Sequence, residues 1–280
     1  MSAVTKETPT ASAEGIARHN AKTYDYQRDG FAVSPGPLLD ADTVARIREH
    51  AERVLNGNYE TGVPPRTNSG GPDAAAHPAY IESSFANDAD RTLNWAVRDP
   101  RIAQWVAKVT GAKRLKIWGV LVQKKYPRGD AKSILGWHQD QKYLDKILTG
   151  NSVNVWIALD DVPPDTGPIR FVRRSHLWGR KYYSGIFEHD PDKQREEIEM
   201  PEGEQWQQVE AAMPAGWASI HHQMTLHGSG MCYGSRSRLS MVLSVGIDDC
   251  RMQPGQYFAT REDDHAACPV IYGPEEFRAS

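Results

Sequence analysis

An imidazole and a carboxylate stand two positions apart in Trp137-His138-Gln139-Asp140. In an extended segment residues i and i+2 project to the same side, so His138 and Asp140 can reach one metal ion. Together they supply two members of the two-His-one-carboxylate set that holds iron(II) by one face and leaves the other open. An iron ion so held keeps net positive charge. It can then take an anionic chelating cosubstrate and dioxygen on its open side.

The spacing alone decides nothing, because His50-Ala51-Glu52 repeats it. That pair falls within Ala41 to Leu55, where Val44, Ile47, Ala51, Val54 and Leu55 mark one apolar helix face. Residues two apart on a helix point roughly 200° apart, so His50 and Glu52 are expected as solvated helix positions. A third ligand must come from a distant segment. His221 and His222 alternate faces, so at most one points inward, where packing or hydrogen bonding would equally account for it. His227 precedes Gly228-Ser229-Gly230 at the end of an apolar run, which suits a ligand beside an open site.

The elements that must position these groups are legible as a pattern. Helices are predicted over 41–55, capped by Asp40 or Asp42, over 89–97, and over 100–109 behind the Asp99-Pro100 start. Strands are predicted over 115–126, 153–159, 169–172, 208–212, 218–223 and 239–245, with turn clusters at 127–130, 163–167, 214–216 and 228–237. Helices first and short strands afterward indicate a mainly β sandwich or barrel flanked by N-terminal helices. Residues 1–20 are expected as a loosely attached arm and 21–280 as one domain. The Gly-, Pro- and Asn-rich stretch 56–80 is predicted as a long loop. With Tyr182 to Glu197 and the C-terminal tail it is a candidate lid.

Composition narrows the function classes. The net charge is −3, without the basic surplus of a nucleic-acid binder. No run approaches the ~20 apolar residues of a membrane helix, and the polar N-terminus has no apolar signal-like core. Cys232, Cys250 and Cys268 are odd in number and form no CxxC pair, against a disulfide framework or a cysteine-rich zinc site. A cytoplasmic protein acting on a small molecule is the expectation.

The chain resembles the phytanoyl-CoA dioxygenase family of iron(II)- and 2-oxoglutarate-dependent oxygenases. The resemblance lies in Trp137-His138-Gln139-Asp140 with Tyr143, then Trp156-Ile157-Ala158-Leu159-Asp160-Asp161-Val162 and Thr166-Gly167-Pro168-Ile169-Arg170-Phe171-Val172. It continues through Ser175-His176, His227-Gly228-Ser229 and Arg238. Their order and spacing match across roughly residues 112–245, and Asp29-Gly30-Phe31 extends the likeness toward the N-terminus.

The resemblance implies a double-stranded β-helix, or jelly roll, with the metal in its mouth and His227 as the third ligand. It implies that 2-oxoglutarate chelates the iron and that Arg238, eleven residues after His227, clamps the far carboxylate with its permanently charged fork. Arg236 shares its parity. Leu121, Trp156 and Ser229 match cosubstrate contacts of the family. Strand alternation adds Gln123 beside Leu121, and Asn154 beside Trp156 as a donor to a carboxylate. Tyr143 is a further candidate for contact with cosubstrate or substrate.

The chain also departs from the family pattern. Arg173-Arg174 replaces the usual Pro-Gly before Ser-His and suggests contact with an acidic substrate, while Cys232 stands where Asn is common. Asp140 is retained, unlike in halogenating relatives. The implied reaction consumes dioxygen and 2-oxoglutarate and oxidises a C–H bond by hydroxylation, desaturation, cyclisation or epimerisation. A small or medium polar metabolite, as in natural-product tailoring, is the favoured substrate, with an acyl-CoA or an amino acid as alternatives. The rival classes are a non-catalytic jelly-roll binding protein and a zinc hydrolase, though no HExxH helix is present.

Overall fold

A computed structural model describes residues 12–71, 78–127, 129–180, 185–255 and 261–274. Its strands in chain order are β1 Phe31–Val33, β2 Thr67–Asn68, β3 Tyr80–Ser84, β4 Leu115–Lys125, β5 Leu135–His138, β6 Leu148–Thr149, β7 Ser152–Ala158, β8 Ile169–Val172, β9 Gln208–Glu210, β10 Ala218–His222, β11 His227–Ser229, β12 Arg238–Ile247, β13 Arg251–Met252 and β14 Val270–Tyr272. The helices are α1 Ala13–Thr23, α2 Tyr26–Asp29, α3 Ala41–Leu55, α4 Ala86–Ala89, α5 Arg91–Ala96, α6 Pro100–Thr110, α7 Gln141–Leu144 and α8 Pro191–Glu197.

Alternation along the long strands builds two faces with different tasks. The major sheet runs β1-β10-β7-β12-β4-β3-β2, with β14 also on β4, and the paired strands are antiparallel. Ile117, Val155, Ile157, Met241, Leu243 and Ile220 project to one face and pack under Ile47, Val54, Leu93, Ile102 and Val106 of the helices. The opposite parity turns toward a minor sheet of order β5-β11-β8-β9. At one end the sheets close on an apolar cluster in which Phe31 stacks on Phe171 at 4.6 Å. Trp156, Ile169 and Val242 of that cluster also line a cavity between the sheets. Two facing antiparallel sheets with this crossover order are the jelly roll the resemblance implies.

The helix predictions hold where caps and apolar stripes coincide. Asp40 caps α3, Asp99 and Pro100 start α6, and Gly111 ends it in the left-handed conformation. The helix predicted over 89–97 is the shorter α5, with Ala89 instead the last residue of the preceding α4. Asp90 interrupts them with extended backbone and accepts hydrogen bonds from the Thr92 and Leu93 N–H groups. The arm predicted over 1–20 also requires correction where it is described. Ser12 caps α1, Ala17 is fully buried, and the Asn20 amide donates to the Glu210 carbonyl at 2.9 Å. Residues 1–11 lie outside the described residues.

Several elements of the mouth differ from the pattern reading. The 56–80 stretch carries β2, which pairs with β3, while residues 72–77 lie outside the described residues. So do 128 of the 127–130 turn, 181–184 at the start of one candidate lid, and 256–260 and 275–280 of the tail. His50 and Glu52 are not solvated as expected. His50 Nδ1 lies 2.8 Å from Asp90 Oδ2, and Glu52 accepts from Lys124 Nζ at 2.6 Å. Their divergence on α3 is as the helix period requires.

Candidate active site

β5 and β11 pair so that His138 faces His227 directly, and their ring centroids lie 4.1 Å apart. This approach requires Gly228, because a Cβ there would sit 2.7 Å from the Leu135 carbonyl oxygen. Asp140 reaches the pair by a different route from the one the i, i+2 argument assumes. The strand ends at His138, and Asp140 has right-handed helical backbone at the start of α7. Gln139 anchors the turn by donating to the Met224 carbonyl, and the Gln141 N–H donates to that of Gln223 at 3.0 Å.

The three ligand candidates converge. His138, Asp140 and His227 each place a ligand atom within 4.8 Å of the others. Asp140 Oδ1 is 3.9 Å from His138 Nε2 and 3.6 Å from His227 Nε2. Each imidazole donates its Nδ1 proton to a backbone carbonyl, His138 to Gly136 at 2.8 Å and His227 to Thr225 at 2.9 Å. That fixes the tautomer and leaves each Nε2 lone pair facing Oδ1. Burial pushes both imidazole pKa values down, His227 furthest, so both stay neutral as ligands must. Burial alone would raise Asp140. The imidazoles of His227, His221 and His138, with the hydrogen bond from His221, hold it below the usual carboxylate range. Two neutral nitrogens and one anionic oxygen fit iron(II) by donor type.

Of the histidines weighed for the third position, His222 turns away to accept from the Met224 N–H. His221 points inward but serves the carboxylate. Its Nε2–H donates to Asp140 Oδ2 at 3.1 Å, and the Asn154 amide donates to the same oxygen at 2.8 Å. Ser244 in turn donates to Asn154 Oδ1 at 2.8 Å. Pairing puts His221, Asn154 and Ser244 in one row across the major sheet. With Oδ2 held from that sheet, Oδ1 is left facing the Nε2 atoms of His138 and His227. The expected role of Asn154 is therefore corrected, since its amide is committed to Asp140.

The next rows form the floor of a cavity of about 390 Å³. Trp156, Val242 and Leu121 make one row, and Ser240, Gln123 and Glu82 another. Arg238, Lys125 and Tyr80 lie beyond. Leu121, Gln123, Asn154, Trp156, Ser229, Arg238 and Tyr143 all line the cavity. Arg238 is 1% exposed, and its hydrogen bonds go to neutral partners, the Gly167 carbonyl and the Ser240 hydroxyl. Its guanidinium lies 5.1 Å from the Trp156 ring, and burial pulls its pKa down to about 10. A buried cation with only neutral partners is poised for an anion. Arg236 is exposed and precedes the strand, so it does not share this face.

Arg173 and Arg174 do not line the cavity. Arg173 pairs with Asp29 at 2.6 Å and bonds Gln207, while Arg174 pairs with Glu204 at 3.1 Å. Their charges are met by these carboxylates, which corrects the expected contact with an acidic substrate. Pattern reasoning missed Glu82, which accepts from the Tyr80 hydroxyl at 2.5 Å; of the candidate lid at 182–197, Ile186 and Phe187 line the cavity. The parity of β4 could have flagged Lys125 with Gln123. No periodic signal marks 186–187.

A family model described as phytanoyl-CoA dioxygenase (PhyH) matches residues 26–240. The peroxisomal phytanoyl-CoA dioxygenase of Mus musculus is 24% identical over 81% of this chain and 68% of its own length. Among solved structures, the non-heme alpha-ketoglutarate-dependent epimerase SnoN from nogalamycin biosynthesis matches with a TM-score of 0.61 and 25% identity, over 87% of this chain and 88% of that one. SnoN in complex with Fe3+, alpha-ketoglutarate and nogalamycin RO matches with a TM-score of 0.63 and 24% identity over the same shares.

Proposed function

Because the chain belongs to the phytanoyl-CoA dioxygenase family, we propose that its iron is held by His138, Asp140 and His227 and that it oxidises a C–H bond of a natural-product-type metabolite. It is an iron(II)- and 2-oxoglutarate-dependent oxygenase. The observation that carries the ligand assignment is the convergence of three ligand atoms in a cavity whose far end is closed by the buried Arg238.

Bound iron and 2-oxoglutarate supply the oxidising power by reductive activation of dioxygen, with succinate and carbon dioxide as coproducts. The chain's own residues bind, orient and exclude. His221 and Asn154 fix the Asp140 carboxylate so that one oxygen faces the two Nε2 atoms. Arg238 takes the far carboxylate of 2-oxoglutarate bidentately. Trp156, Leu121 and Val242 flank its methylene chain and keep water from it.

The substrate end is the mouth. Tyr143, Leu144, Ile186 and Phe187 line it, and Tyr143 and Phe187 are among the exposed large hydrophobic side chains of the described residues. Such a mouth suits the apolar face of a multi-ring metabolite better than a wholly polar one, with Glu82 at the floor to meet a hydroxyl or amine. SnoN, described in complex with nogalamycin RO, supports this class. The unpaired, buried Cys232, Cys250 and Cys268 support a cytoplasmic location.

The test is anaerobic addition of iron(II) and 2-oxoglutarate, read by the visible charge-transfer band of the chelate, followed by succinate release against a panel of polycyclic and glycosylated metabolites. Asp140→Ala should abolish the band and all turnover. Full hydroxylation by that variant would reject the ligand assignment.

A further inference from the structure

We infer that Glu82 selects the prime substrate by its charge: its carboxylate pairs with a protonated amine, so the metabolite that this cavity takes is a cationic one. The inference deepens the function proposed above and rests on it.

Glu82 and Asp140 are the two carboxylates that line the cavity, and Asp140 is already committed to His221 and Asn154. Among the described residues the side-chain partner of Glu82 is the Tyr80 hydroxyl, which donates to Oε2 at 2.5 Å, and no cation lies within ion-pair distance of it. Tyr80 is kept as the donor. Burial and the Glu82 carboxylate push its pKa well up, and the Gln123 side chain donates to the same hydroxyl. A carboxylate has about four lone-pair positions. One neutral donor on Oε2 therefore leaves most of that capacity, with all of Oε1, unused.

Glu82 is not the counter-charge of the neighbouring cations. Arg238 and Lys125 stand one row away, yet the carboxylate felt at Arg238 is that of Asp160, and the charges felt at Lys125 are those of Arg238, Arg170 and Cys232. Glu82 also stands apart from the residues proposed around 2-oxoglutarate. Trp156, Leu121, Val242 and Arg238 belong to β7, β4 and β12, whereas Glu82 belongs to β3, at their side. The group it meets is therefore part of the other reactant.

A carboxylate in a partly enclosed cavity loses hydration that a neutral partner only partly returns. An alkylammonium brings three donors and the opposite charge, a hydroxyl brings one donor and none. A substrate carboxylate would be repelled. Glu82 thus favours an amine over a hydroxyl or an acid at the same position.

The probes are daunorubicin, a polycyclic glycoside with a primary amine on its sugar, and its N-acetyl derivative, which keeps the rings and loses the charge. Each is titrated into the anaerobic protein loaded with iron(II) and 2-oxoglutarate, following probe fluorescence, and the charge-transfer band is recorded on the same sample. The parent should bind the amine roughly 10–100-fold more tightly, the range for a hydrogen bond between charged groups. Glu82→Gln, of equal size, should cut that preference below about threefold while the iron(II) and 2-oxoglutarate affinities stay within about threefold of the parent. Tyr80→Phe keeps the carboxylate and should keep the preference.

Equal binding of the two probes by the parent, or binding of neither, would overturn the inference. So would a preference that survives in Glu82→Gln, or one that Tyr80→Phe erases equally, which would mark a structural effect. A gain of about tenfold or more in 2-oxoglutarate affinity in Glu82→Gln would show that the carboxylate balances Arg238 instead. A band without amine preference rejects this inference alone. Absence of the band in the parent rejects the cosubstrate reading, and this inference with it.

Discussion

Asn154 offers the sharpest test of the site, because alternation assigned it to the cosubstrate and the structure gives it to Asp140. The perturbation is Asn154→Ala. It removes a 2.8 Å donor to Asp140 Oδ2 and leaves His221 Nε2 at 3.1 Å as the remaining anchor. A hydrogen bond to a charged group contributes about 1.5–3 kcal/mol. Loss of a partner that orients a metal ligand typically lowers metal affinity about 10–100-fold, the same range in free energy. Because His221 remains, the lower bound of about tenfold is expected. Ser244→Ala should cost less, since Asn154 loses only the bond that sets its amide orientation.

The assay is anaerobic titration of iron(II), or of cobalt(II) followed by its visible spectrum, into parent and variant. The 2-oxoglutarate affinity is then measured at saturating metal. Weaker metal binding with unchanged cosubstrate affinity is the expected result. Metal affinity within about threefold of the parent, together with weakened 2-oxoglutarate, would refute the reasoning and restore Asn154 to the cosubstrate.

Two further outcomes follow from packing and burial. In Gly136→Ala the new Cβ would lie 2.4 Å from Gln194 Oε1 and 2.7 Å from the Glu188 carbonyl oxygen. It should therefore push the 185–194 segment off β5, cost about 1–3 kcal/mol in denaturant unfolding and raise KM for the prime substrate; unchanged stability would contradict the close packing. His222 is held down to about 4 by burial and by His176 and His221, from an ordinary 6.5. The unfolded chain then binds the extra proton, so stability should fall as pH drops from about 6.5 toward about 4, by at most about 3 kcal/mol. His222→Asn should flatten that part of the stability–pH curve, and parallel curves for the two proteins would exclude the assignment.

The sequence was most informative where a local rule coincided with a tertiary demand. Asp40, Asp99-Pro100 and Gly111 mark helix ends by their own chemistry, and α3 and α6 fall where those residues put them. The long strands β4, β7 and β12 show their apolar parity because helices cover one whole face. The short strands β1, β5 and β11 carry no readable period, since each has three or four residues and their pairing is wholly long-range.

The same limit shaped the site. His138, Asp140 and His227 were legible because the family motif spans them. The roles of His221, Asn154 and Ser244 depend on a row across three strands, which no segment encodes by itself. Arg173 and Arg174 misled for a related reason. Their partners Asp29 and Glu204 lie far off in sequence, so nothing local reveals that their charges are already met.

The direct pairing of His138 with His227 has a consequence for folding. The two strands that carry them belong to the thinner sheet and lie about 90 residues apart, so bringing them together carries a substantial loop-closure entropy. A slip of one residue in that pairing would turn one imidazole to the outside. On the proposed ligand assignment, iron binding only the correct register would stabilise it by mass action, and metal loading would then favour the correct strand alignment. The apoprotein should exchange the β5 and β11 amide hydrogens well before those of β4 and β12.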